Sequence, residues 1–225
     1  MMQDAREKIL GTIRKSVGSA AQANDRRVAV DARIAAHARG IVPARATVAG
    51  SEALIAFVSR LKAAAITVDE AQHPRDVPQL VADYLRANNL PARLRMGDDA
   101  YLSNLDWRSV AVLEIVTGRA VGSDEVSLAK AFAGVAETGT LVLVSGPDNP
   151  TTLNFLPETE IVVVRSADIV GGYEDAWDKL RNACGLTLPR TVNWVSGPSR
   201  TADIEQTIVM GAHGPRRLHV IVTNS

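Results

Sequence analysis

IVVVRSADIVGGYEDAWDKLRN, residues 161–182, followed after a short break by TVNWV at 191–195, decides the class of this fold. Ile161 to Val164 is a run of β-branched side chains, which fit a pleated surface better than a helical one. From Ser166 to Asn182 the apolar positions Ile169, Tyr173, Trp177 and Leu180 recur about one helical turn apart, so a helix is predicted there. Thr191 to Val195 reads as a strand again. Strand, helix and strand in this order predict an α/β domain with a largely parallel sheet.

The same alternation extends in both directions. Downstream, Thr201 to Met210 is read as a helix and Leu218 to Val222 as a last strand. Upstream, Phe132 to Ala136 and Thr140 to Val144 flank Glu137-Thr138-Gly139, a pattern that predicts a hairpin because Gly139 adopts positive φ cheaply. Val110 to Val116, interrupted by Glu114, is expected to be a strand buried on both faces, ending in Thr117-Gly118-Arg119. Ser123 or Asp124 is expected to cap a short helix. Ala92 to Met96 and Ile66 to Val68 are short strands around a helix with Pro74 near its start and Val77, Leu80, Val81, Tyr84 and Leu85 on one face. Before them, Ser51 is the expected N-cap of a helix with the stripe Leu54, Ile55, Val58 and Leu61. Residues 1–22 carry Ile9, Leu10, Ile13 and Val17 at helical spacing, whereas residues 23–50 show little periodicity. The chain therefore divides into an N-terminal helix and basic arm, 1–50, and an α/β domain, 51–225.

Composition excludes several classes of protein. With 225 residues, 46% hydrophobic, the chain is long enough for a full core. Its 25 basic and 25 acidic side chains cancel, which argues against nucleic acid or an anionic membrane as a partner held by bulk charge. The only asymmetry is residues 1–50, with nine basic against four acidic residues. No apolar run approaches the ~20 residues of a bilayer span, and the N-terminus lacks signal-peptide order, so no membrane insertion is expected. The single cysteine, Cys184, forms no intramolecular disulfide and cannot hold a conventional iron–sulfur cluster, which points to a reduced, cytoplasmic setting. His37, His73 and His219 lack partners at metal-ligand spacing, and no metal site is expected.

Ligands of open α/β sheets bind beyond the carboxyl ends of the strands. Four turns are expected to gather on one such edge: Thr117-Gly118-Arg119, Glu137-Thr138-Gly139, Ser145-Gly146-Pro147 and Ser196-Gly197-Pro198-Ser199-Arg200-Thr201. The last turn, read as opening a helix, offers backbone N–H groups, the Ser199 and Thr201 hydroxyls and the Arg200 guanidinium to a small carboxylate or phosphate. The competing reading is a plain helix cap, with Asp203 and Glu205 meeting the positive dipole. Glu137 is a candidate nucleophile or general base, or else a solvated turn acid. His213, in Gly211-Ala212-His213-Gly214-Pro215, is a candidate ligand contact or a buried turn histidine. The dinucleotide, Walker, nucleophile-elbow and zinc-protease signatures are all absent. The tryptophans at 107, 177 and 194 are scattered along the chain.

Three segments together, Ala136-Glu137-Thr138-Gly139-Thr140-Leu141-Val142-Leu143, Ser196 to Glu205 and Gly211 to Pro215, resemble the LUD-domain proteins of the lactate-utilisation C type. Tyr173 to Trp177 and Asp106-Trp107 add to the resemblance. It implies a Rossmann-like, mostly parallel sheet of the sugar-phosphate isomerase and CoA-transferase superfamily. It also implies a non-cluster subunit that acts with two iron–sulfur partner subunits in oxidising L-lactate to pyruvate. Any clusters then reside in those partners, and this chain carries no cofactor of its own. The residues expected to bind ligand are Thr138, Gly139, Thr140, Ser145, Gly146, Ser196, Gly197, Pro198, Ser199, Arg200, Thr201, His213 and Gly214, with Glu137 as the catalytic candidate. Two other expectations stand beside this one: an autonomous acyl-CoA transferase or isomerase using Glu137, after the glutamate-containing turn of CoA transferases, and a regulatory protein that binds a carboxylate.

Overall fold

The computed structural model describes residues 2–17, 20–185, 187–204, 207–210 and 213–224, with backbone alone at 2–4, 20–23, 201–204 and 207–210. The chain forms two compact units, Met1–Ile41 and Val42–Ser225. The first contains helices α1 (Met2–Val17) and α2 (Ala20–Ala36). Helix α2 occupies a stretch without apolar periodicity, where alanines at many positions favour helix by propensity.

The second unit is built around six parallel strands: β1 (Thr67–Ala71), β2 (Arg93–Met96), β3 (Glu114–Thr117), β4 (Val126–Lys130), β7 (Thr159–Arg165) and β12 (Arg217–Thr223). Their order across the sheet is β1-β12-β7-β4-β2-β3. Central strand β7 shows the usual two-residue alternation. Val162 and Val164 join Val220, Val222 and Ala129 in a core closed by Phe57 and Leu61 of helix α3 (Gly50–Ala63), while Ile161 and Val163 face Val81 and Leu85 of helix α4 (Val77–Ala87). Burial on both faces explains why these strands read as continuous apolar runs.

A second sheet, in the order β8-β5-β6-β9, packs against the first on the α3 side. It comprises β5 (Ala133–Val135), β6 (Thr140–Val144), β8 (Ile169–Val170) and β9 (Val192–Val195). β5 and β6 form the expected hairpin, β8 runs parallel to β5, and β9 pairs antiparallel with β6. Helices α5 (Ala100–Ser103) and α6 (Tyr173–Cys184) complete the unit with the antiparallel pair β10 (Arg200–Ile204) and β11 (Thr207–Met210).

Several expectations change. Thr201 to Met210 is not a helix but the pair β10–β11, because its β-branched residues prevail over the helix-start pattern of Asp203. Glu205 lies outside the described residues. Ser123 and Asp124 cap no helix: Asp124 accepts a hydrogen bond from Val121 N (2.8 Å) and pairs with Arg95 (2.9 Å), and the chain enters β4, a central strand that the sequence reading leaves out. Of the run Val110 to Val116 only 114–116 lie in strand β3, an edge strand, and Val112 is 76% exposed. Helix α3 starts at Gly50 without a side-chain cap, and its buried stripe is Ala53, Phe57 and Leu61, leaving Ile55 71% exposed. The predicted helix from Ser166 contains a short 3-10 turn and β8 before α6 begins at Tyr173. Strand β9 lies in the second sheet, so α6 is not a crossover of the main one.

Two features of this core yield predictions. Gly139 has φ +70°, and a Cβ there would come within 2.9 Å of the α3 backbone at Arg60 and Leu61. Gly139→Ala is therefore expected to cost about 2 kcal/mol or more, read by denaturant unfolding. His219 is buried, stacked on Tyr84 at 3.9 Å, with Nδ1 2.9 Å from Thr67 Oγ1. Burial pushes it down to about 4 against an opposing pull from Asp69. A lowered histidine contributes stability that is complete above its unfolded value of 6.5 and is lost as pH falls toward 4. Between pH 7 and 4 the protein should lose on the order of 2–3 kcal/mol through this group. His219→Gln should flatten that part of the melting-temperature profile. Glu160 has the opposite sign, since burial holds it well above its ordinary 4.5; its stability is present below that value and lost as pH rises. Glu160→Gln should therefore gain on wild type as pH increases.

Candidate functional site

The β5–β6 turn is fixed from three sides. Gly139 N donates to Val135 O (2.9 Å) and closes the hairpin, whose tip rests on the α3 backbone. Glu137 N donates to Gly171 O (2.9 Å), tying the turn to the Gly171-Gly172 step ahead of α6. Across that step runs the segment containing Ala46: a Cβ on Gly171 would lie 2.1 Å from Ala46 O, and one on Gly172 2.8 Å from Ala46 Cβ. Only glycines allow this approach.

The consequence is a buried carboxylate under a guanidinium. The Glu137 side chain is 8% exposed, and its Oε1 forms an ion pair with Arg45 Nη2 at 2.8 Å; Arg45 itself is 62% exposed. Oε2 faces Gly172, the N-cap of α6, where the helix dipole favours negative charge. Asp175 Oδ2 accepts from Gly172 N at 3.0 Å and holds the same helix start. Arg45 thus meets an internal carboxylate on one side and stays open to solvent on the other.

Beside this pair lies a chain of hydroxyls. Thr138 Oγ1 and Thr140 Oγ1 are 2.6 Å apart, Tyr173 OH is 3.0 and 2.9 Å from them, and Ser196 Oγ is 2.7 Å from Thr140 Oγ1. β9 brings Ser196 here, because Leu141 of β6 pairs with Val195. The Tyr173 ring is 5.4 Å from Trp194, which is 5.1 Å from Trp177. Two of the three scattered tryptophans thus form one wall behind the hydroxyls. This cluster can bind and orient a small polar molecule, with alternating donors and acceptors around a carboxylate.

The four turns do not share one edge. Because β6 runs antiparallel to β5 and β9, Glu137, Thr138, Gly139, Thr140 and Ser196 meet at one end of the second sheet, whereas Ser145 and Gly146 lie at the other, with Gly118 and Arg119. Gly197 and Pro198 follow Ser196, and a Cβ on Gly197 would lie 3.5 Å from Ala64 O. No helix follows Ser199, so the expected helix-terminus anion site does not form. Ser199 N instead donates to Pro215 O (2.8 Å), and its Oγ accepts from His213 N (3.2 Å). Arg200 and His213 are exposed, and Gly214 packs near Ser199 and Phe155. The Thr201 side chain, Gly211 and Ala212 lie outside the described residues.

Two groups of residues escape the sequence reading. Arg45 carries no local signal, since its partner lies far downstream. At the carboxyl edge of the main sheet, Tyr101 OH is 3.1 Å from Thr223 Oγ1, Lys130 Nζ lies 6.0 Å from the Tyr101 ring centre, and Asp99 caps α5 by accepting from Tyr101 N and Leu102 N. The Asp-Asp pair at 98–99 before an apolar residue was a usable cap signal for α5. Among the described residues no cluster of three or more His, Cys, Asp or Glu could hold a metal ion, and no helix is long and apolar enough to cross a membrane.

Comparison with known proteins agrees with this architecture. A crystal structure of a DUF162 family protein from Deinococcus radiodurans superposes with a TM-score of 0.61, covering 78% of this chain and 99% of that one at 22% identity, a likeness of fold. Lactate utilization protein C of Bacillus subtilis is 39% identical over 92 residues, 40% of this chain and 38% of that protein. The protein of the same name from Geobacillus thermodenitrificans is 33% identical over 107 residues, 45% of each chain. These matches span less than half the length of the curated relatives. The LUD domain family matches residues 54–223, most of the compact α/β unit, and this chain belongs to that family.

Proposed function

We propose that this chain is a non-iron–sulfur subunit in lactate utilisation, binding the substrate of an assembly that oxidises L-lactate to pyruvate. The observation that carries the reading is the Arg45–Glu137 pair beside four hydroxyls, in a chain similar to proteins named lactate utilization protein C. A 2-hydroxy acid presents a carboxylate and an adjacent hydroxyl. Arg45 supplies the charge-assisted contact for the first, and the Thr138, Thr140 and Ser196 hydroxyls supply partners for the second. Glu137, displaced from Arg45 by the incoming carboxylate, is then a base for the substrate hydroxyl proton.

Oxidation of lactate to pyruvate releases two electrons and two protons. Cys184 alone cannot ligate a conventional cluster, so in this reading the electrons pass to two iron–sulfur partner subunits. Such an assembly operates in the cytoplasm. The other reading, an acyl-CoA transferase with Glu137 as nucleophile, is disfavoured by a carboxylate already covered by Arg45. Trapping with hydroxylamine after incubation with acyl-CoA separates the two: an adduct lost in Glu137→Gln supports the transferase.

Deleting the gene in its own organism, with no paralogue present, should abolish growth on L-lactate as sole carbon source, and normal growth would overturn the proposal. Complementation with Arg45→Ala should lower lactate-dependent oxygen uptake by about tenfold or more, the loss expected for one charge-assisted contact. Thr140→Val should lower it as well, with the protein still folded by circular dichroism.

A further inference from the structure

The end of the second sheet opposite Glu137 opens into a cleft of about 760 Å³, within the size range of pockets for small ligands. It lies beyond the carboxyl end of β3, where Gly118 follows the strand, and is closed on the far side by the loop after β6 and the start of β9. Its polar lining comes from Arg119, Arg190, Ser145, Thr151, Thr152 and Thr191. We propose that this cleft is a second ligand site, separate from the Glu137 site, which takes a phosphorylated molecule of nucleotide size through Arg119 and Arg190.

Charge is the first support. Among the described residues neither Arg119 nor Arg190 has an ion-pair partner, although most arginines of this unit are paired or bonded. The nearby carboxylate is Asp148, whose Oδ1 would be 2.3 Å from a Cβ on Gly146. Two guanidiniums against one carboxylate leave an excess positive charge, and the planar guanidinium fork matches phosphate oxygens in bidentate geometry.

The hydroxyls are the second support, because their oxygens are already engaged. Ser145 Oγ accepts from Thr191 N (2.9 Å) and Thr152 Oγ1 accepts from Ala120 N (3.1 Å), so each keeps its own proton to donate. Thr151 Oγ1 and Thr191 Oγ1 are 3.1 Å apart; one donates to the other, which leaves one further proton. Three hydroxyl protons and two guanidiniums thus line one cleft, with no acceptor for those protons among the described residues. An anion with several oxygen acceptors satisfies them together. A monocarboxylate, with two oxygens, does not, and this distinguishes the cleft from the Glu137 site.

Isothermal titration calorimetry on the full chain tests the proposal with ADP, inorganic phosphate and L-lactate as probes. ADP should bind saturably. Arg119→Ala and Arg190→Ala should each weaken binding by about tenfold or more, as expected for a charge-assisted contact. The double variant should abolish it, while Arg45→Ala leaves it unchanged. Phosphate binding as tightly as ADP would identify the phosphoryl group itself as the ligand, and tighter ADP binding would identify the nucleotide; both support the site. Absence of saturable heat with ADP and phosphate would overturn it. So would ADP binding that survives in the double variant, folded by circular dichroism, or L-lactate binding as tightly and depending on the same two arginines.

Discussion

The close seating of the β5–β6 hairpin on helix α3 is the contact on which the rest of this domain depends. Gly134 has the Phe57 ring 2.8 Å from where its Cβ would stand, and Gly139 has the α3 backbone at the same range. Two missing side chains therefore set how near the second sheet comes. The approach lets Leu141 and Leu143 join Phe57, Leu61, Val162 and Val164 in one core. Each such side chain contributes roughly 1.5–3 kcal/mol on full burial, far more than a single polar contact at the surface. β6 is pinned along its length by this packing. Its five residues span about 14 Å from end to end, and so the Glu137 turn and the Ser145 turn are held apart as separate places.

β7 and β12 of the main sheet and the hairpin of the second were legible because apolar, β-branched runs leave little alternative, and they lie close to where the sequence puts them. Glu137-Thr138-Gly139 was legible for the same local reason, a residue able to take positive φ between two apolar runs. Errors arose where local signals conflict. In Thr201 to Met210 an acid near the start suggests a helix, while Thr201, Ile204, Thr207, Ile208 and Val209 are β-branched and suggest strands, and pairing decides the matter. β4, Val-Ser-Leu-Ala-Lys, is too short and too mixed to declare itself without its neighbours β2 and β7. The site was half legible. Its hydroxyls and its acid lie in recognisable turns, but Arg45 reaches Glu137 only after the glycine step at 171–172 has drawn the intervening segment across.

Titration adds a constraint that no pattern of apolar residues reveals. His219 and Glu160 sit on adjacent parallel strands in the middle of the sheet, where Leu218 is opposite Glu160 and His219 opposite Ile161. Both are buried and burial disfavours the charged form of each, so Glu160 is shifted up and His219 down and they titrate with opposite sign. Acid must charge the histidine, and base must charge the glutamate. Among the described residues, Glu160 Oε1 and Oε2 have no hydrogen-bond partner, nor does either amide atom of the buried Asn154. Orphaned polar atoms in a core cost stability, each by about 1–3 kcal/mol, so the apolar packing around β7 must offset them. The sheet is therefore most secure at intermediate pH and weakens on either side.

The distribution of arginine connects these features to recognition. Twenty of the 25 basic residues are arginine, a bias that composition alone explains as readily as function. Position in the fold divides them. Arg95 and Arg165 are held by Asp124 and Asp168 and serve the architecture. Arg45, in a short 3-10 helix (Ala44–Ala46), and Arg119 and Arg190, in irregular segments, stand instead at the two ends of the second sheet, beside hydroxyls that strands or short turns fix in place. Hydroxyls fixed by regular structure give direction to a contact with a small anion, and a guanidinium outside the strands adds charge to it. The net charge of zero therefore conceals an uneven local distribution, with one guanidinium covering an internal carboxylate and two, Arg119 and Arg190, without an ionic partner among the described residues. It is on this local distribution, rather than on the total, that the proposed binding of small anions at the two ends of the sheet rests.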